Sequence, residues 1–176
     1  SWSGAIDGLA ADTDGDGATG RLLVISAGNI EDPNAWTDYP NSNSTDGIHD
    51  PGQAWNALTV GACTNLIRIT EQDAGDYEPI APLGGLSPFS TTSRTWQPQW
   101  PLKPDVVFEG GNAARDALGA VSMPSLSLLT ANYRPAQRMF TTTNATSAAT
   151  ALAGGMAGQL MTAYPELWPE TIRALI

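Results

Sequence analysis

The residue best suited to nucleophilic chemistry is Ser147, which lies in an uncharged run from Met139 to Pro165. This run is rich in Ala, Gly, Ser and Thr, and it predicts a helix with so little side-chain bulk that other backbones can pack close against it. A hydroxyl at the start of such a helix lies at the positive end of the helix dipole. Ser147 is therefore a candidate nucleophile.

The same run also fits simpler interpretations. Its lack of charge is typical of a membrane span, but Thr, Asn, Gln and Gly make its transfer into lipid costly, and Leu and Ile are scarce. Ser147 taken alone would serve equally well as an ordinary helix N-cap. The G-x-S-x-G elbow of the α/β-hydrolases is absent, so a lipase or esterase is not supported.

A second stretch, residues 22–29 (LLVISAGN), is an apolar run that ends in small residues and an amide. The pattern predicts a buried parallel strand that carries Asn29 to its carboxyl end. Sheets of this kind bind ligands at the carboxyl ends of their strands. The side chain of Asn29 is therefore expected at a binding site.

With both stretches in view, the chain resembles the subtilisin-like serine proteases, or subtilases (peptidase S8 family). The family has a G-T-S-M-A-x-P motif at the nucleophile, an A-G-N motif at the oxyanion amide and a K-P-D strand between them. The matching runs here are A-T-S-A-A-T-A at residues 145–151, S-A-G-N at 26–29 and K-P-D-V-V at 103–107. They occur in the family's order, and the resemblance extends over almost the whole chain.

The resemblance implies an α/β fold and hydrolysis of peptide bonds in a polypeptide substrate. It assigns Ser147 as the nucleophile and Asn29 as the donor to the oxyanion. By the same resemblance, Ser26, Ala27 and Gly28 would bind the substrate.

The family's catalytic Asp and His have no counterparts here, and their motifs would precede Ser1. The chain begins without a Met and ends at Ile176 within a predicted helix. We therefore expect residues 1–176 to be the C-terminal portion of one subtilase catalytic domain, truncated on its N-terminal side. Its partner would be the remainder of that domain, and without it the fragment is expected to be inactive. The cellular location stays unknown.

Departures from the motifs leave two alternatives open. Ala145, Ala148 and Ala151 replace the family's Gly, Met and Pro, and E-G-G-N at 109–112 replaces A-P-G. One alternative is a non-catalytic binding module that keeps the fold after losing the triad. The other is a different hydrolase that uses His49, the only histidine, as its base. Because His49 follows Asn29 and is thus out of the family's order, we interpret it as a loop residue.

Composition sets further limits. A chain of 176 residues with 41% hydrophobic and 15% charged residues can form a folded domain. Its net charge of −10 argues against nucleic acid or an anionic membrane as a partner, because both require a basic surface. Cys63 is the only cysteine, so no intrachain disulfide can form, and it is most simply a small buried side chain.

An acidic turn at residues 12–17 (DTDGDG) matches the first half of an EF-hand loop. The position that needs a bidentate Glu is Leu23, so this match fails and a solvated turn is favoured. No cofactor or metal is expected, although weak calcium binding by Asp12, Asp14 and Asp16 stays open.

The predicted fold is α/β, with a mainly parallel sheet flanked by helices and with Ser147 at the head of a central buried helix. A first helix would place Trp2, Ile6 and Leu9 against the sheet. Tyr39-Pro40 resembles a Tyr-Pro pair of the family whose bond is often cis, but from the sequence alone the bond is expected to be trans by default. The predicted strands are 22–27, 57–62 and 104–109, the predicted hairpin strands are 126–130 and 138–143, and the last helix begins near Trp168.

Overall fold

The computed structural model describes residues 1–13, 15 and 20–176 of the chain. The helices are α1 (Trp2–Ala10), α2 (Pro33–Trp36), α3 (Asn41–Thr45), α4 (Ala145–Ala163) and α5 (Pro169–Leu175). The strands are β1 (Val24–Ser26), β2 (Leu58–Thr64), β3 (Glu78–Pro79), β4 (Gly85–Leu86), β5 (Val106–Glu109), β6 (Ala113–Arg115), β7 (Ala120–Ser122), β8 (Leu128–Ala131) and β9 (Phe140–Thr143).

The central sheet forms around β2, the most buried strand. β1 and β5 flank β2 in parallel, with Val24 opposite Leu58 and Val60 opposite Val106. The short strand β4 pairs antiparallel with the end of β2, so the sheet is mixed. Six of the seven residues of β2 are buried, as expected for a parallel strand covered on both faces. The fold is α/β.

Helix α4 packs on this sheet through small side chains. Ala149 and Ala153 join Leu58, Val60 and Ala62 of β2 in one buried cluster. The opposite face of α4 is exposed, so the predicted central buried helix is buried on one face only. The exposed residues of that face are Ala151, Leu152, Gly154, Gly155, Met156 and Gly158.

Helix α1 forms where predicted, but it buries a different face. Trp2 is 75% exposed and Leu9 is 45% exposed, whereas Ser3 and Ala10 are buried. The carboxylate of Asp50 accepts hydrogen bonds from the backbone N–H groups of Trp2 and Ser3 and from the Ser3 hydroxyl. This contact lowers the pKa of Asp50 and holds the start of α1 against the loop. Because Asp50 is distant in sequence, the apolar spacing alone predicted the wrong face.

The region between β1 and β2 is too long for a plain connection, and it has secondary structure of its own. It contains α2 and α3, and a small second sheet orders β3, β6 and β7 further along the chain.

The prediction of a trans bond before Pro40 is wrong, since the bonds before Pro40, Pro51 and Pro104 are all cis. The predicted hairpin is confirmed, with β8 antiparallel to β9.

The K-P-D run holds α5 against the sheet. The buried Lys103 ammonium donates to the Ala57 carbonyl at 3.1 Å and to the Asp105 carboxylate at 2.6 Å. Asp105 also accepts from the backbone N–H of Thr59 at 2.7 Å, and Arg173 of α5 lies 3.6 Å from it. Burial lowers the pKa of Lys103, and Asp105 opposes that shift. These contacts hold the start of β5 beside β2 and α5.

Candidate active site

Helix α4 begins directly against the end of β5. The backbone N–H of Ala145 donates to the Gly110 carbonyl at 2.6 Å, and Ala145 has a φ of 68°. A Cβ on Gly110 would lie 2.9 Å from the Ala145 carbonyl oxygen, and one on Gly111 would lie 2.8 Å from the Leu126 carbonyl oxygen. Both distances are too short for a real side chain. The glycine pair therefore allows the backbone approach that fixes where α4 starts.

Asn29 follows β1 and contacts this helix start. Its Oδ1 accepts a hydrogen bond from the backbone N–H of Thr146 at 3.0 Å, and the Thr146 hydroxyl lies 2.6 Å away. The same hydroxyl also lies 3.1 Å from the Gly28 carbonyl. Because an N–H can only donate, the amide atom that faces Thr146 must be the oxygen. The NH₂ group of Asn29 is therefore turned away from Thr146 and is free to donate elsewhere.

Ser147 is the next residue of α4 and is exposed. The first four N–H groups of a helix have no partner within the helix. In α4, those of Ala145 and Thr146 are bonded to Gly110 and Asn29, and within the described part of the chain those of Ser147 and Ala148 have no recorded partner. The exposed hydroxyl of Ser147 thus lies at the positive end of a 19-residue helix, next to unused backbone donors.

The three residues before Asn29 form the end of β1 and its continuation. Ser26 lies opposite Val60, and the Ala27 N–H donates to the Val60 carbonyl at 2.9 Å. The Ala27 carbonyl accepts from the backbone N–H of His49 and from the Thr91 hydroxyl, both at 2.9 Å. The polar backbone groups of Ala27 are therefore already used within the protein.

The His49 ring packs on Gly28, which has a φ of 106°. A Cβ on Gly28 would lie 2.7 Å from His49 Nδ1. The Nε2 atom of His49 lies 3.9 Å from the carboxylate of Asp46. Among the described residues, no hydrogen bond joins His49 to Ser147. The alternative in which His49 is the general base therefore gains no support from a contact with the serine.

Comparison with known proteins identifies the family of this chain. The model of the subtilase family (peptidase S8) matches residues 1–176. The chain belongs to the subtilase family. It is also 28% identical over 191 residues to "Uncharacterized protein y4bN" from Sinorhizobium fredii (strain NBRC 101917 / NGR234). That match covers 99% of this chain and 42% of the relative, so the chain spans less than half of the relative's length.

The motif departures of this subtilase have a structural explanation at two positions. Ala145 keeps the left-handed backbone that the family's glycine would adopt without strain. Glu109 accepts hydrogen bonds from the backbone N–H groups of Asn65 at 2.6 Å and Gly111 at 2.8 Å, and so ties the end of β5 to the end of β2. The helix start is therefore held although the motif residues differ.

Sequence reasoning assigned no role in the site to Thr146, Gly110 and Gly111. Thr146 orients the Asn29 amide. The sequence offered one sign of this role, because Thr146 directly precedes the candidate nucleophile. The two glycines directly follow the predicted strand 104–109, and glycine at such a place can mark close backbone approach. Which carbonyl they would approach was not readable from the sequence, because the partners Ala145 and Leu126 are distant along the chain.

Three further features of the sequence are the acidic turn at residues 12–17, Cys63 and the uncharged run that contains α4. Asp12 lies in a turn after α1, whereas Asp14 and Asp16 are outside the described residues. In the part of the chain that the structure describes, no three metal-ligating carboxylate, imidazole or thiol groups cluster together.

Burial and the Glu109 carboxylate raise the pKa of the Cys63 thiol, which argues against a reactive cysteine. None of the described helices is long and apolar enough to cross a bilayer.

Proposed function

We propose that the protein containing this chain is a serine endopeptidase. Ser147 Oγ attacks the carbonyl carbon of a peptide bond and loses its proton to a general base. The carbonyl oxygen becomes an oxyanion, the amine leaves with a proton, and water then hydrolyses the acyl-enzyme. Donors near Ser147 stabilise the oxyanion.

The orientation of Asn29 carries this proposal. Two donors on Thr146 hold Oδ1 of Asn29, so its NH₂ group is fixed as a donor beside the residue that precedes Ser147. A fixed donor needs no reorganisation when negative charge develops on the substrate. The unpaired N–H of Ser147 supplies a second donor from the same helix start.

The general base is proposed to come from outside this chain. Family resemblance places the catalytic Asp and His before the strand that ends in Asn29, and a serine hydroxyl without a base is a weak nucleophile. We propose that upstream segments of the same polypeptide supply both residues and pack on the open face of α4. Ser26 and Gly28 would contact the substrate backbone beside them.

Substitutions in the intact polypeptide test the assignment. Ser147→Ala should abolish peptide hydrolysis. Asn29→Ala should lower kcat by about 10² to 10³ with little change in KM, a magnitude known for the oxyanion-hole amide of a subtilisin, which is a member of this family. Thr162→Ala, near the other end of α4, is the control and should leave kcat unchanged within about twofold, because the Thr162 hydroxyl donates to the Gly158 carbonyl and not to a residue of the site. Undiminished turnover in the Ser147→Ala variant would refute the proposal.

A non-catalytic subtilase-fold binding module is the second candidate. Ala145, Ala148 and Ala151 depart from the nucleophile motif, and within the described residues the Ser147 hydroxyl has no recorded hydrogen bond. A fluorophosphonate probe separates the two candidates, because it labels only an activated serine. Labelling of the intact protein at Ser147 supports the peptidase, and its absence together with no turnover supports the module.

A further inference from the structure

The loop between α3 and β2 carries two polar side chains at the candidate substrate site. We infer that Asp46 and His49 select substrates with a Lys or Arg side chain next to the cleaved bond. This inference rests on the proposed peptidase function and adds the substrate class.

Position is the first argument. The His49 ring covers the Cα of Gly28, the residue immediately before Asn29. Asn29 would donate to the carbonyl oxygen of the substrate residue before the cleaved bond, and the Cα of that residue is bonded directly to the carbonyl carbon. A long side chain that extends along Gly28 would then meet His49 and, behind it, Asp46.

The second argument is that the pair is held in place. The backbone N–H of His49 donates to the Ala27 carbonyl at 2.9 Å, and the N–H of Asp46 donates to the Ser42 carbonyl at 2.9 Å. The Asp46 carbonyl in turn accepts from the N–H of Thr92 at 3.2 Å. A loop anchored at three backbone positions presents its side chains with little entropy left to lose on binding.

The third argument is that the carboxylate remains available. The side chains of His49 and Asp46 are 52% and 44% exposed, so a ligand can reach both. In the described part of the chain, Asp46 has no recorded ion pair with a Lys or Arg side chain, and its carboxylate lies 3.9 Å from Nε2 of His49. A guanidinium or ammonium group can therefore bind a carboxylate that no internal cation already neutralises.

Charge complementarity favours the same class of substrate. The chain carries a net charge of −10, which attracts cationic peptides over a distance. A glutamate in the same position would meet Asp46 as a like charge, and an apolar side chain would cover the carboxylate without pairing it. A peptide with Glu or an apolar residue at this position should therefore bind more weakly than one with Lys or Arg.

The test uses the intact polypeptide and fluorogenic peptides that differ only in the residue before the cleaved bond: Arg, Lys, Leu or Glu. We expect kcat/KM for Arg and Lys to exceed that for Leu by about tenfold or more, and that for Glu to be the lowest. Asp46→Asn should reduce the Arg-to-Leu ratio by about tenfold, mainly through a higher KM for the Arg peptide. Asp46→Lys should shift the preference towards Glu, a gain that misfolding cannot produce.

Glu166→Gln is the matched control, because it removes one negative charge beyond the far end of α4 and should keep the wild-type profile. Equal rates for Arg and Leu in the wild type, or an unchanged profile in both Asp46 variants, would overturn the inference while leaving the peptidase assignment intact. Absence of cleavage of every peptide, or cleavage that survives Ser147→Ala, would instead overturn the proposed function and this inference with it.

Discussion

Ala145 is the residue at which the geometry of the site depends most on a single backbone angle. Its φ of 68° lies in the left-handed region, which costs a residue with a Cβ about 1 to 2 kcal/mol. The angle turns the chain from the Gly110 contact into α4 and sets the direction in which Thr146 and Ser147 face. The protein tolerates this strain because hydrogen bonds on both sides of Ala145 determine the turn.

We therefore expect Ala145→Gly to stabilise the fold by roughly 0.5 to 1 kcal/mol, since relief of the strain exceeds the added freedom of the unfolded chain. Urea unfolding measures the change. Ala148→Gly is the control, because it lies in ordinary helix and should destabilise by about 1 kcal/mol. A loss of stability in both variants would show that Ala145 is not strained.

The start of α4 also depends on how close two elements can approach. Gly110 leaves room for the Ala145 carbonyl, and its would-be Cβ also collides with Ala62 of β2. On the exposed face of the same helix, Gly154 has no atom within 4 Å of its would-be Cβ. Replacement of Gly by Ala should therefore destabilise the protein at position 110 and stabilise it at position 154.

Gly110→Ala should destabilise the protein by about 1 to 3 kcal/mol, because the end of β5 must move away from α4. The displaced helix start should also lower turnover in the intact enzyme. Gly154→Ala in the isolated chain should instead stabilise by about 1 kcal/mol through helix propensity. Thermal melts of the two variants give the comparison, and a neutral Gly110→Ala would contradict the close contact.

The loop before β3 is tied to the residues before β8 by one carboxylate. Glu71 accepts hydrogen bonds from the backbone N–H of Ser125, at 2.8 Å, and from the Ser125 hydroxyl. These contacts lower the pKa of Glu71 to about 2. Because the folded pKa lies below the ordinary value, the contribution of Glu71 to stability is present above about pH 4.5 and is lost as the pH falls towards 2.

Glu71→Gln should therefore lower the free energy of unfolding at pH 7 and flatten its decline between about pH 4.5 and 2. Denaturant titrations at a series of pH values measure this dependence. Glu166→Gln, on a surface turn, serves as the control and should keep the wild-type slope. Identical slopes for Glu71→Gln and the wild type would show that this carboxylate does not contribute.

At the scale of the molecule, the described chain leaves apolar surface uncovered. Leu152, Met156 and Met161 of α4 are 44%, 39% and 47% exposed. Within the described residues, β1 is paired on one side only, with β2. An open strand edge and an exposed apolar helix face both favour association with another chain or segment.

The isolated 176-residue chain is therefore expected to self-associate at high concentration and to show no peptidase activity. Light scattering should show that Leu152→Gln together with Met156→Gln reduces the association. Leu118→Gln should not, although Leu118 is 95% exposed, because it lies in the turn between β6 and β7. A clean monomer at high concentration, or turnover that Ser147→Ala abolishes, would contradict this expectation.

The sequence alone determined the family, the α/β fold and the approximate positions of β1, β2, β5, α4 and the β8–β9 hairpin. These features depend on neighbours in sequence: apolar runs, small-residue composition and motif order. It did not determine which faces are covered. The buried side of α1, for example, depends on the contact of Trp2 and Ser3 with the distant residue Asp50.

In the candidate site, too, some features could be predicted from the sequence and others could not. Ser147 and Asn29 were readable because each lies at the predicted end of an element, where local patterns are informative. Only the tertiary structure showed that Thr146 fixes the Asn29 amide, that Gly110 positions α4, and that His49 lies on Gly28. Each of these contacts joins residues between 21 and 117 positions apart, and it exists because the sheet brings the carboxyl ends of its parallel strands to one edge.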